Sequence, residues 1–171
     1  MKLHLLIDGY NLIRNHTPLA RAEARDFSQG RQALLTWLAE YRKTAFHPIT
    51  VVFDGGKGES PVEERDLFRG IKILYSRAGE TADEVIKKMA ARERGRFLVI
   101  TSDRELARSC RSYGAEVVRS EAFARKVEER RFGGGDADEE EEDSVRRKKK
   151  KGASFHLSKR AKKERKVWEK L

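Results

Sequence analysis

Four aspartates occupy positions from which they could do chemistry together. Asp8 follows the apolar run LHLLI and precedes Gly9, Asp54 follows ITVVF and precedes Gly55, Asp83 lies within TADEVI, and Asp103 follows FLVITS. An ionised carboxylate in an apolar core costs several kcal/mol unless it is paired, hydrogen-bonded or metal-bound. An acid at the end of a buried strand therefore sits at an edge or is employed. Each has a local use: Asp8 and Asp54 can build turns before glycine, and Asp83 and Asp103 can complement a helix dipole for about 0.5 kcal/mol. Gathered at one rim, however, they repel by ~1 to 4 kcal/mol per close pair, which a fold avoids unless a cation neutralises them. Hard oxygen donors of this kind suit Mg²⁺ or Mn²⁺, which keep several waters and accept phosphate oxygens. Asn11, three residues past Asp8, could hold a metal-bound water or a phosphate with its amide, or cap the chain after the first strand. Thr81 and Ser102 read as helix caps.

The elements around these residues bring them to one edge. LHLLID, PITVVFDG, IKILYSR, FLVITSD and AEVVRS read as strands, and DFSQGRQALLTWLAEYRKT, TADEVIKKMAARERG, DRELARSCRSYG and EAFARKVEERR as helices. Thr81 with Glu84, and Ser102 with Glu105, have capping-box spacing. GGKGESPVEERDLFRG reads as a long loop. The alternation predicts an α/β fold of three layers, a mainly parallel sheet of about five strands with helices on both faces. In right-handed strand–helix–strand units every strand's carboxyl end lies along one edge, where ligands bind.

Charge divides the 171 residues into three blocks. Residues 1–135 hold 25 Lys+Arg and 19 Asp+Glu, residues 136–143 are DADEEEED, and residues 144–171 hold 13 basic and 2 acidic side chains. We expect a domain over 1–132, a Gly-rich and acidic linker over 133–145, and a basic, partly helical tail over 146–171. The net charge of +10 favours polyanionic partners, nucleic acid first. A single cysteine, Cys110, leaves no intramolecular disulfide or thiolate cluster, which fits the cytoplasm. His4, His16, His47 and His156 lack metal-ligand spacing, and no stretch reads as a signal peptide or membrane span. The GxxxxGK[ST] and GxGxxG loops are absent, which argues against P-loop and dinucleotide chemistry. A haloacid-dehalogenase-type phosphatase needs a second aspartate two residues after the first, where this chain has Tyr10.

With LLIDGYNLI, VVFDGG, TADEVI and VITSDREL in order, the chain resembles the NYN domain family, and within it the YacP-like bacterial proteins, over roughly residues 3–130. The resemblance implies a PIN-like fold and metal-dependent endoribonuclease activity. YacP-like members include ribosome-associated enzymes that cut messenger RNA during translation. Matched by position, Asp8, Asp83 and Asp103 would be the metal ligands and Asn11 the accompanying catalytic amide, with Asp54 as an additional candidate ligand for Mg²⁺ or Mn²⁺. Lys57, Arg65 and Arg69 stand in the long loop, where they could cover RNA, and Tyr10 reads as a packed aromatic more than a base-stacking one. In the tail, Arg146, Arg147, Lys148, Lys149, Lys150, Lys151, Lys159, Arg160, Lys162 and Lys163 would neutralise phosphates, making RNA and the ribosome the expected partners. The alternative is a non-catalytic RNA- or ribosome-binding protein on the same fold, which would not need the acids.

Overall fold

The structure, a computed structural model, describes residues 3–55 and 61–132. Strand β1 (His4–Asp8) leads into two short helices, α1 (Gly9–Arg14) and α2 (Thr17–Glu23), and the long α3 (Phe27–Ala45). Then come β2 (Ile49–Phe53), β3 (Glu64–Phe68), β4 (Ile71–Tyr75), α4 (Ala82–Arg92), β5 (Phe97–Ile100), α5 (Arg104–Ser112), β6 (Glu116–Val118) and α6 (Ser120–Phe132). By packing, Met1–Arg125 form one unit, while Lys126–Leu171 form another, described only for the end of α6. There Lys126 pairs with Glu129, and Arg131 with Glu128, along the helix.

The strands form one six-stranded sheet in the order β3-β4-β2-β1-β5-β6, parallel throughout except for β3. From β1 the chain winds outward to β2 and β4 on one side, then returns to β5 and β6 on the other. Doubly wound sheets bind ligands at such a reversal, outside the carboxyl ends of the strands, which here is the end of β1. β1 is consequently central, and Leu5, Leu6 and Ile7 are fully buried. Period-two alternation splits the strand residues between faces: Leu6, Val52 and Val99 join Val85, Ile86, Leu106 and Cys110 in the core under α4 and α5. Burial pushes the Cys110 thiol up to about 11, so it packs as an apolar residue. Helix α3 is capped by Asp26, whose carboxylate accepts the N–H groups of Ser28 and Gln29, and buries Leu34, Leu35, Leu38 and Tyr41 as its spacing predicts.

One expected loop contains a strand. Within GGKGESPVEERDLFRG, residues Glu64–Phe68 pair antiparallel with β4 through the two-residue turn Arg69-Gly70, both at positive φ. The strand escapes a reading by hydrophobicity because it is an edge, with Glu64, Arg65, Asp66 and Leu67 all exposed.

Gly9 fixes how the first helix leaves the sheet. A Cβ there would stand 2.4 and 2.6 Å from ring carbons of Phe53, which is fully buried and stacked on Tyr75. The ring has nowhere to retreat, so Gly9→Ala is expected to lower stability by about 1 to 3 kcal/mol. Chemical denaturation reads that change; an unaltered midpoint would show that Phe53 can repack.

Candidate functional site

The carboxyl edge of the sheet is knitted by side chains acting as local caps. Asp8 ends β1 and caps α1: one carboxylate oxygen accepts the Asn11 backbone N–H at 3.3 Å, and the other accepts the Thr101 hydroxyl at 3.2 Å. Thr101 in turn accepts the Asp103 N–H at 3.1 Å, tying the ends of β1 and β5 together. Asp103 caps α5 by accepting the Leu106 N–H at 2.7 Å. Asp54, just past β2, accepts the Ala82 N–H at 2.7 Å and so pulls the amino end of α4 to the same edge. There Thr81 and Glu84 form the expected capping box, which holds Asp83 in the first turn.

These four acids share one electrostatic field. Asp8 is only 8% exposed, and burial pushes its carboxyl up to about 7; the Asn11 N–H and Thr101 hydroxyl oppose this, while Asp83 and Asp54 add to it. Asp83 is also raised, first by burial and then by Asp103, with Asp54 and Glu105 contributing and Lys87 opposing. Half-buried Asp83 makes no hydrogen bond or ion pair among the described residues. Also among the described residues, no three His, Cys, Asp or Glu side chains form a ready-made cage for a metal ion.

Asn11 is held by Ser102, which the sequence brought forward only as a cap, and by Ser120, which it did not bring forward. Its side-chain oxygen accepts the Ser102 N–H at 2.8 Å and the Ser120 hydroxyl at 2.7 Å, with Asn15 donating at 3.4 Å. A backbone N–H can only donate, so the amide is oriented with its oxygen toward Ser102 and Ser120. That commits the oxygen and leaves Asn11 a donor. Ser102 does not cap α5; its hydroxyl donates to Glu121 and accepts the Ser120 N–H at 3.0 Å. Asp103 reaches the open helical amides from one residue later, with the same chemistry. Ser120 is fully buried, lies 109 residues from its partner, and carries no local signal.

The expected RNA-binding residues disperse. Arg65 sits on the edge strand β3, paired with Glu63 at 2.9 Å. Arg69 lies in the β3–β4 turn, which the antiparallel register puts at the amino end of β4, the edge opposite the acids, where its carbonyl accepts from Arg42. It therefore does not cover the acidic rim. Lys57, the acidic block 136–143 and the basic residues of 146–163 fall outside the described residues. Tyr10 packs, as expected, edge-on to Phe53 at 5.2 Å.

Comparison with known proteins agrees with the fold. The family model described as the YacP-like NYN domain matches residues 5–170. A curated relative, "Uncharacterized protein YacP" of Bacillus subtilis, is 33% identical over 86 residues, a match that spans half of this chain and half of that protein. Two crystal structures of Rae1 (YacP) from Bacillus subtilis superpose on the chain. A tryptophan-to-leucine mutant does so with TM-score 0.61 at 29% identity, over 77% of this chain and 79% of the other. A second structure does so with TM-score 0.60 at 30% identity, over 86% and 81%. The sheet with its covering helices is thus the PIN-like, nuclease-type fold, and the chain belongs to the YacP-like NYN domain family.

Proposed function

We propose that the chain is a metal-dependent endoribonuclease that hydrolyses RNA phosphodiester bonds, acting on messenger RNA in association with the ribosome in the cytoplasm. One observation carries the reading: burial and then the charges of neighbouring acids at the same edge raise the proton affinity of Asp8 and Asp83, and half-buried Asp83 makes no hydrogen bond or ion pair among the described residues. Such a field is unfavourable by itself and repels phosphate, so binding alone gives no reason for it. Family membership and the PIN-like fold support the same direction.

The donors fit a small hard cation. Asp54 and Asp103 each commit one oxygen to a helix amide and keep the other, and Asp83 keeps both. Mg²⁺ and Mn²⁺ keep several waters and are commonly bound through one or two carboxylates plus substrate phosphate oxygens, so a closed protein cage is unnecessary. Asp8, Asp83 and Asp103 would hold the ion, with Asp54 beside them. When bound, the ion supplies charge neutralisation at the phosphodiester and a lowered pKa for water. Asp8 must release the proton that burial lets it keep near neutral pH before its carboxylate can serve. The amide of Asn11, its oxygen committed to Ser102 and Ser120, keeps its NH₂ group as a donor for a phosphate oxygen. No side-chain nucleophile is required. The basic runs 146–151 and 159–166 would supply affinity through counterion release.

The test is end-labelled RNA incubated with Mg²⁺, with Mn²⁺, and with EDTA. Internal cuts are expected with either ion and none with chelator, activity returning when excess Mg²⁺ is added. Cleavage indifferent to EDTA would remove the metal from the mechanism, and RNA bound but uncut under every condition would favour the non-catalytic reading.

A further inference from the structure

Beside the acids, on the face covered by α1 and α3, aromatic rings and guanidinium groups meet. Phe27 and Arg31 stand one turn apart at the start of α3, and both reach Tyr10, two residues past Asp8. The Phe27 ring meets the Tyr10 ring edge-on at 6.1 Å, and Arg31 donates to the Tyr10 hydroxyl at 3.0 Å. The Arg31 guanidinium also lies 6.0 Å from the ring of Tyr75, the last residue of β4, which pairs with Phe53 just before Asp54. The constellation therefore shares the edge that carries Asp8 and Asp54.

We propose that Phe27 and Arg31 form a nucleotide subsite for single-stranded RNA, a base stacking on Phe27 and its neighbouring phosphate held by Arg31. The proposal rests on RNA being the substrate. A lone exposed phenylalanine is ordinary on a protein surface; its company here is not. Arg31 is half-buried, yet among the described residues it has no carboxylate partner, and one phenol hydroxyl uses one of its five N–H donors. A partly desolvated cation with open donors gains most from an anion, and a planar guanidinium matches phosphate in two-pronged fashion. Neighbouring Arg14, 5.3 Å from the Tyr10 ring, is already paired with Glu23 at 3.3 Å, which leaves Arg31 as the open member of the two. Tyr10 is enclosed by Phe27, Phe53 and both arginines, so it supports the site rather than receiving the base. Phe27, 59% exposed, offers the ring. Single strands are specified because a duplex keeps its bases stacked on one another.

The experiment titrates the full chain into fluorescein-labelled oligouridylate, in EDTA and across a salt series, following anisotropy. Phe27→Ala is expected to raise Kd about tenfold at every salt concentration, with an unchanged slope and an unchanged melting temperature. Arg31→Gln is expected to flatten the slope of log K against log salt by about 0.7, while Arg31→Lys retains it. Identical Kd and slope for the unmodified chain, Phe27→Ala and Arg31→Gln overturn the subsite, as does failure of the unmodified chain to bind the oligonucleotide. If these shifts are found but no divalent ion elicits cleavage, the subsite stands and the nuclease reading falls. If cleavage proceeds with KM unmoved by either substitution, the subsite falls alone.

Discussion

Asp83→Asn is expected to reduce RNA cleavage by about a thousandfold or more while RNA binding, measured in EDTA, stays within about twofold of the unmodified chain. The substitution keeps size and shape and removes one charge. A group that helps hold a divalent ion contributes several kcal/mol of transition-state stabilisation, and each 1.36 kcal/mol is roughly tenfold in rate. The fold has little to lose. Asp83 makes no hydrogen bond among the described residues, its carboxyl is raised by burial and by Asp103, and the helix-dipole contribution given up is only about 0.5 kcal/mol. Removing one of several carboxylates that repel phosphate should, if anything, ease metal-free binding. A variant that cleaves at the original rate ends the assignment of Asp83 to the ion, and one that loses binding and cleavage equally puts the residue in substrate recognition instead.

What the sequence disclosed and what it concealed divide along a physical line. β1, β2 and β5 announce themselves because they are buried on both faces and read as largely apolar runs, and β4 because buried Ile71 and Ile73 alternate with exposed Lys72. The parallel order follows from the alternation with helices, and with it the position of Asp8, Asp54, Asp83 and Asp103 along one edge of the sheet. β3 hid because an edge strand needs no apolar pattern. The short helices α1 and α2 gave no amphipathic period long enough to register, and packing against α3 sustains them instead. At the site, local rules succeeded for Thr81 and misled for Ser102, where two residues in a row could cap and tertiary bonds to Glu121 and Ser120 decided between them. The clamp on Asn11 from Ser120 was illegible because a contact across 109 residues leaves no trace in spacing. The pairing of Phe27 with Tyr10 and Arg31 was hidden similarly, since it depends on where α1 crosses α3.

Asp8→Asn is expected to inactivate the protein and also to stabilise it. In the unfolded chain this carboxyl titrates near 3.8, and in the fold it is pushed up to about 7. Between those values the folded state keeps a proton that the unfolded state has released, so stability falls as pH rises through the window, and the loss is complete above it. A difference of that size corresponds to at most roughly 4 kcal/mol, an upper bound because local relaxation and water entry soften the burial of a charge. Asparagine removes the charge but keeps an oxygen to accept the Asn11 N–H, and the Thr101 hydroxyl can turn to accept from the new amide. The variant should therefore melt higher than the unmodified chain at pH 8, by an amount equivalent to about 1 to 4 kcal/mol, with the gap closing as pH falls toward 4. Mg²⁺ should raise the melting temperature of the unmodified chain at pH 8 and leave that of Asp8→Asn nearly unmoved, because a ligand that binds only the folded state stabilises it by mass action. A variant that melts lower at pH 8, or a gap that does not change with pH, would mean that the Asp8 charge is already compensated by its neighbours. The strain attributed to the acidic edge, and the reason given for a cation there, would then be lost.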